Sequence, residues 1–303
     1  MRDDEVLARR FEAHRPHLRA VAYRMLGSLS EAEDAVQEAW FRLSRSDTDG
    51  VHNLGGWLTT VVGRVCLDML RSRTTRREDP LYDQDGQLVR LPDPIVSSAD
   101  GIGPEQEILL ADSVGMALMV VLETLSPAER LAFVLHDTFS VPYEEIAEVL
   151  GRTPATTRQL ASRARRRVQG GAPAPDTDLA RRREVVDAFL AAARSGDLNG
   201  LVAVLDPDVV ARSDGGTLRP GGLRRGATGV ASQAIMFARF AERAHPALVN
   251  GSPGVVALSA DGTPLSVMAF TVRGGRVTAL DILTDPERLA RLDLGAVTGR
   301  SGA

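Results

Sequence analysis

The sequence predicts a multi-domain chain: two all-α domains, the second built on a helix-turn-helix, followed by a C-terminal α+β domain. Three observations carry this. Apolar residues recur at helical spacing from Val6 to Leu70 and again from Leu109 to Val168. A stretch rich in Pro, Gly, Asp and Ser interrupts the pattern at 78–104, and a second one with Pro and Asp does so at 171–180. Beyond residue 181, two helical segments give way to short β-rich runs with Gly turns. The expected domains are therefore 1–77, 105–170 and 181–295, joined by a flexible linker (78–104) and a second linker (171–180).

In the first domain, Val6, Leu7, Phe11, Leu18, Val21, Ala22 and Met25 form a helical stripe, interrupted near Pro16 and closed by Gly27. Ser30 suits an N-cap for the next helix, with Glu33 three residues on as a capping box. That helix carries a polar face of Glu33, Asp34, Gln37 and Glu38, which reads as solvated surface or as a partner-binding face. A loop from Ser44 to Gly56 leads to WLTTVVGRVCLDMLRSRTTRR, with an apolar side and a basic end of Arg64, Arg71, Arg73, Arg76 and Arg77.

Within the first linker lies VRLPDPIV, either a docking segment or an extended connector. In the second domain, Ile146, Ala147 and Leu150 face inward, and Gly151 is suited to end their helix. Thr153 suits the N-cap and Pro154 the first position of the following helix. There Thr157, Ala161, Ala164 and Val168 share one face, while Thr156, Arg158, Gln159, Ser162, Arg163 and Arg166 share the other. No Asp or Glu occurs from Gly151 to Pro175, so the outward face is suited to phosphates and base edges.

The last domain reads as helix, turn, helix and strand through DVVARSDGG, then a helix over 226–240 and four β-rich runs. Asp261-Gly262 and Gly274-Gly275 mark hairpins.

Composition narrows the function. Among 303 residues the net charge is −4, so nucleic-acid binding has to come from local patches. All 36 basic residues are Arg, the side chain suited to bidentate contacts with phosphate and guanine. The single Cys66 excludes an intramolecular disulfide and reads as an inert core thiol. No segment reaches membrane-spanning length and the N-terminus is no signal peptide, so a cytoplasmic protein without a membrane partner is expected.

GSLSEAEDAVQEAWFRL followed by GGWLTTVVGRVCLDMLRSR resembles region 2 of the sigma-70 factors in their extracytoplasmic-function branch. LETLSPAERLAFVLHDTFSVPYEEIAEVLGRTPATTRQLASRARRRV resembles region 4 of the same family. The resemblance implies a subunit that directs RNA polymerase to promoters, with core polymerase (β′ clamp and β flap) and promoter DNA as partners. Glu33, Asp34, Gln37, Glu38 and Trp40 would then bind the polymerase clamp. Asn53 would contact an extruded −10 base, and Trp57 would be a core anchor or a melting wedge. The basic end, Arg64 to Arg77, would hold the DNA backbone. Thr156, Arg158, Gln159, Ser162, Arg163 and Arg166 would read the −35 element.

GDLNGLVAVLDPDVVARSDGG resembles the start of SnoaL-like domains, curved sheets wrapped on helices, which sigma J-like sigma factors carry as an extension. The subfamily implies contact between a linker motif, here Leu91-Pro92-Asp93-Pro94, and a glycine signature, here Asp214-Gly215-Gly216. Where the subfamily has Trp before Leu-Pro, this chain has Arg90, and where it has a third glycine, this chain has Thr217. The extension is expected to modulate the sigma factor. The alternative is a DNA-binding regulator whose C-terminal domain binds a small ligand or is an enzyme. A catalytic role would need an acid–base pair, and this domain holds one His, His245. The expectation is of no catalytic residues, metal or cofactor, and no separate anti-sigma factor is evident.

Overall fold

The computed structural model describes residues 2–46, 53–76, 90–99, 115–171, 176–216, 219–238 and 243–298. It divides into two compact units.

The first unit is helical. Helix α1 (Arg2–Leu26) passes through Pro16 without a break, which corrects the expected interruption. Phe11 before the proline and Leu18 after it are both buried, so packing on either side holds the helix where the missing amide hydrogen bond would weaken it. Gly27 ends α1 at φ +67°, as its position suggested. Helix α2 (Leu29–Ser44) buries Ala32, Ala35, Val36, Ala39 and Leu43. Its N-cap is Ser28, not Ser30, and the expected capping box does not form. Glu33 is drawn instead to Arg15 at 2.5 Å and lies 3.9 Å from Arg19. Helix α3 (Leu54–Arg76) completes this core with Leu58, Val62 and Leu67. Cys66 is buried there, and desolvation pushes its thiol pKa far up, in keeping with an inert core residue.

Helix α4 (Met116–Glu123), of which the residues from Val121 onward belong to this unit, leads into α5 (Pro127–Phe133), which starts on a full capping box between Ser126 and Glu129. A π-helical turn, Val134–Thr138, follows. The helix-turn-helix is formed by α6 (Tyr143–Leu150) and α7 (Pro154–Gly171). Gly151 adopts the left-handed conformation at φ 62°, and Thr153 Oγ1 accepts the Thr156 N–H at 3.2 Å. Thr157, Ala161 and Ala164 are fully buried; their small size lets α7 lie close to the rest of the unit.

The second unit is α+β. Three helices, α8 (Leu179–Ser195), α9 (Leu198–Val204) and α10 (Ala227–Ala238), pack on a seven-stranded sheet. In chain order its strands are β1 (Val96–Ser98), β2 (Leu205–Gly215), β3 (Arg219–Arg225), β4 (Arg243–Val249), β5 (Ser252–Leu258), β6 (Pro264–Arg273) and β7 (Arg276–Leu283). The spatial order is β1-β4-β5-β6-β7-β2-β3. All pairs are antiparallel except β2 with β7. Val186, Phe189, Leu201, Val209, Val255 and Phe270 lie in the core between helices and sheet. Strand β3 at one edge carries Arg224 and Arg225, charged residues that discourage edge-to-edge pairing. The other edge is taken by β1, which comes from the expected linker, so Arg90–Ala99 is a built part of this unit and not a free connector. Short helices α11 (Pro286–Leu289) and α12 (Gly295–Thr298) follow β7.

Candidate polymerase, promoter and linker interfaces

The outward face of α7 presents Arg158, Gln159, Ser162, Arg163 and Arg166 exposed, with Thr156 half-buried. The neighbouring arginines are tied internally. Arg165 donates to Asp137 and to the Tyr143 hydroxyl, and Arg167 reaches Glu129 at 3.2 Å. The helix thus divides its cations between those that orient it and those that face outward. Arg158 lies over the Tyr143 ring, 5.1 Å from its centroid.

On α2, Asp34, Gln37 and Glu38 are exposed at helical spacing, and Glu38 accepts from Arg42 at 2.9 Å one turn on. Glu33 is partly withdrawn by Arg15, and Trp40 packs against Phe11 at 5.1 Å between ring centroids. The surface gains Phe41, half exposed and one turn beyond Glu38, which the sequence reading passed over.

On α3, Asn53 is the N-cap: its Oδ1 accepts the Gly56 N–H at 3.0 Å, while the residue stays exposed. Trp57 is half-buried. Arg64 and Arg71 are exposed, and Arg71 approaches Asp68 at 4.0 Å. Arg73 differs from expectation. Its guanidinium pairs with Glu31 and donates to the Leu26 carbonyl at 3.3 Å, so it ties α3 to α1 and α2. The Arg76 side chain and Arg77 lie outside the described residues.

The structure brings Leu91, Asp93 and Asp214 together. Asp214 Oδ2 accepts the Leu91 N–H at 2.7 Å, and its Oδ1 accepts the Gly216 N–H at 3.0 Å. Arg288, on α11, bridges the two segments. It donates to Asp214 at 2.6 Å, to Asp93 at 2.6 Å and to the Leu91 carbonyl at 2.6 Å. Burial works against the Arg288 charge, but the carboxylates of Asp93 and Asp214 outweigh it and hold its pKa above the ordinary arginine value. Leu91, Pro92 and Pro94 line a small pocket together with Val249, Val267, Ala269 and Leu283, sheet residues outside the core that faces the helices. Asn250 closes the lock: its side chain accepts the Ile95 N–H at 3.1 Å and its own N–H donates to the Ile95 carbonyl at 2.8 Å. Gly215 ends β2, and Gly216 at φ +68° leaves no room for a Cβ, which would meet Asp285 Oδ2 at 2.3 Å.

Arg288 and Asn250 were not foreseen. TDPERL does announce a helix start, and Asp285 caps α11, but nothing local says where Arg288 would point. No described helix is long and apolar enough to cross a membrane.

Residues 10–76 match the sigma-70 region 2 family and residues 115–168 match sigma-70 region 4. Two regions of this kind in this order make the chain a sigma-70 promoter-specificity subunit of RNA polymerase. It belongs to the extracytoplasmic-function (ECF) RNA polymerase sigma factors. It is 40% identical over 295 residues to the ECF RNA polymerase sigma factor SigJ of Mycobacterium tuberculosis H37Rv, covering 92% of this chain and 91% of that protein. It is 37% identical over 293 residues to the probable ECF RNA polymerase sigma factor SigI of the same strain, covering 94% and 96%. The crystal structure of M. tuberculosis SigJ matches at a TM-score of 0.75 and 37% identity, covering 95% of this chain and 99% of that one.

Proposed function

We propose that this sigma factor engages the β′ clamp of core polymerase through Asp34, Gln37 and Glu38, with Phe41 as an apolar anchor. Its α3 face, with Asn53, Trp57, Arg64 and Arg71, meets the −10 element. Its region 4 meets the β flap and reads the −35 element through the outward face of α7. The C-terminal unit acts as a built-in regulator rather than an enzyme, and the protein works in the cytoplasm. The observation that carries the regulatory reading is the Arg288 bridge, which fastens the segment between the two sigma regions to the C-terminal unit. A linker held this way cannot lengthen to let both regions reach their elements. Release of the linker then accompanies promoter engagement. Catalysis finds no support at His245, which faces Val256 across β4 and β5 and has no carboxylate partner among the described residues.

In vitro transcription with purified core polymerase tests the whole reading, comparing the full chain with one cut after Val168. The full chain should give promoter-specific transcripts, and the cut chain should bind promoter DNA more tightly. Equal affinity and equal transcript yield would remove the regulatory part.

A further inference from the structure

Beneath the first turns of α7 lies a cluster built on Tyr143. Tyr143, the first residue of α6, stacks on His136 of the π-helical turn, with ring centroids 3.7 Å apart and planes at 24°. His136 is itself set by its Nδ1, 3.0 Å from the Val141 carbonyl. The Tyr143 hydroxyl accepts from Arg165 Nη2 at 2.6 Å, and Arg165 is anchored on Asp137. The ring is therefore held on one face and at its hydroxyl end. Over that held ring lies the guanidinium of Arg158, with the Glu144 carboxylate 3.9 Å away.

An arginine on an exposed helix face has many rotamers, and most of them do not point where a base would be. A fixed aromatic face narrows that choice, because the ring quadrupole attracts the cation. Arg158 is in the second turn of α7, and the N-terminal part of a recognition helix is what meets base edges. Its planar fork matches the O6 and N7 acceptors of guanine. We propose that Tyr143 is a positioning residue for −35 readout: it holds Arg158 in the orientation that reads a base, with Glu144 as the counter-ion that DNA displaces. This rests on reading α7 as the −35 recognition helix.

The test uses holoenzyme reconstituted from the full chain and core polymerase, on a promoter library randomised across the −35 element. Arg158→Ala should lose preference at one −35 position, by roughly fivefold or more. Tyr143→Leu should weaken preference at that same position by about twofold to fivefold, the scale of an exposed cation–π contact. In the Arg158→Ala background it should weaken that preference no further. Tyr143→Phe keeps the ring and should keep the preference, which also decides the matter if the leucine variant folds poorly. An equal loss across all −35 sequences from Tyr143→Leu, or loss of the preference in Tyr143→Phe, overturns the positioning role. An unchanged pattern in Arg158→Ala overturns instead the assignment of α7's outward face, and with it the proposal.

Discussion

Arg288 Nη1 sits 2.6 Å from Asp214 Oδ2, across 74 residues of chain, and the same guanidinium holds Asp93. One cation thus neutralises two carboxylates, with the Asp214 side chain 4% exposed and that of Asp93 13% exposed. Arg288→Gln would remove the cation that Asp93 and Asp214 share, a loss of about 3–5 kcal/mol for a broken buried pair. The expected outcome is a freed linker, seen as faster amide exchange at Leu91 and Ile95, with tighter promoter binding. Pro92→Ala with Pro94→Ala should act in the same direction more weakly. Unchanged exchange at Leu91 in Arg288→Gln would show that Asp214, Asn250 and β1 pairing hold the segment without the arginine.

Region 2 meets region 4 inside the first unit at another buried pair. Arg130 donates to Glu123 at 2.7 Å and to the Arg24 carbonyl at 3.1 Å, with side chains 2% and 5% exposed. Arg130→Met should destabilise this unit by about 3–5 kcal/mol, and adding Glu123→Leu should restore much of it. Chemical denaturation of the three proteins measures this. Gly27→Ala should also be costly, since its Cβ would lie 2.2 Å from Glu123 Oε1 at a left-handed φ.

His17 lies beside the same seam, edge-on to Phe139 at 5.0 Å and 3.1 Å from Thr59 Oγ1. Burial first, then the nearby His14 and Arg24, lower its pKa below the ordinary 6.5. Protonation therefore favours states in which His17 is exposed. Its contribution is fully present above pH 6.5 and is lost as the pH falls through the depressed value. Thermal unfolding at pH 7.5 and 5.5 should show a larger drop for the native chain than for His17→Gln.

Arg163→Ala should weaken −35 recognition by about 1–3 kcal/mol and relax preference at one base position. Binding measured on a panel of −35 variants checks this. A uniform loss would assign Arg163 to a phosphate.

Glu38→Arg should abolish binding to core polymerase while leaving the circular dichroism spectrum unchanged, because a reversed charge at a complementary interface costs several kcal/mol. Among the described residues Glu38 has only the exposed local pair with Arg42 to lose, so its role in the fold is small. Retention of the mutant on immobilised polymerase at native levels would count against the clamp assignment.

What could be read from the sequence was local in origin. Gly151, Thr153 and Pro154 impose backbone conformations on themselves and their neighbours, so the helix-turn-helix followed from spacing alone. The buried stripe of Thr157, Ala161 and Ala164 likewise fixes which face of α7 is outward. The misreadings arose where a distant charge competes with a local motif. Glu33 completes a capping box on paper, but α1 brings Arg15 within 2.5 Å and takes it away. Arg73 belongs to a basic run, yet α2 sets Glu31 against it.

Periodicity and helix punctuation act over a few residues, so the two helical sigma regions, their order, the α+β extension and the outward arginines were legible along the chain. Which charges are available and which are bound was settled by the folded arrangement. It placed Arg288 between Asp93 and Asp214, 195 and 74 residues away, and made an expected linker the edge strand of a sheet. Such contacts depend on where whole elements come to rest, and the packing of a folded core sets that rather than any spacing along the chain.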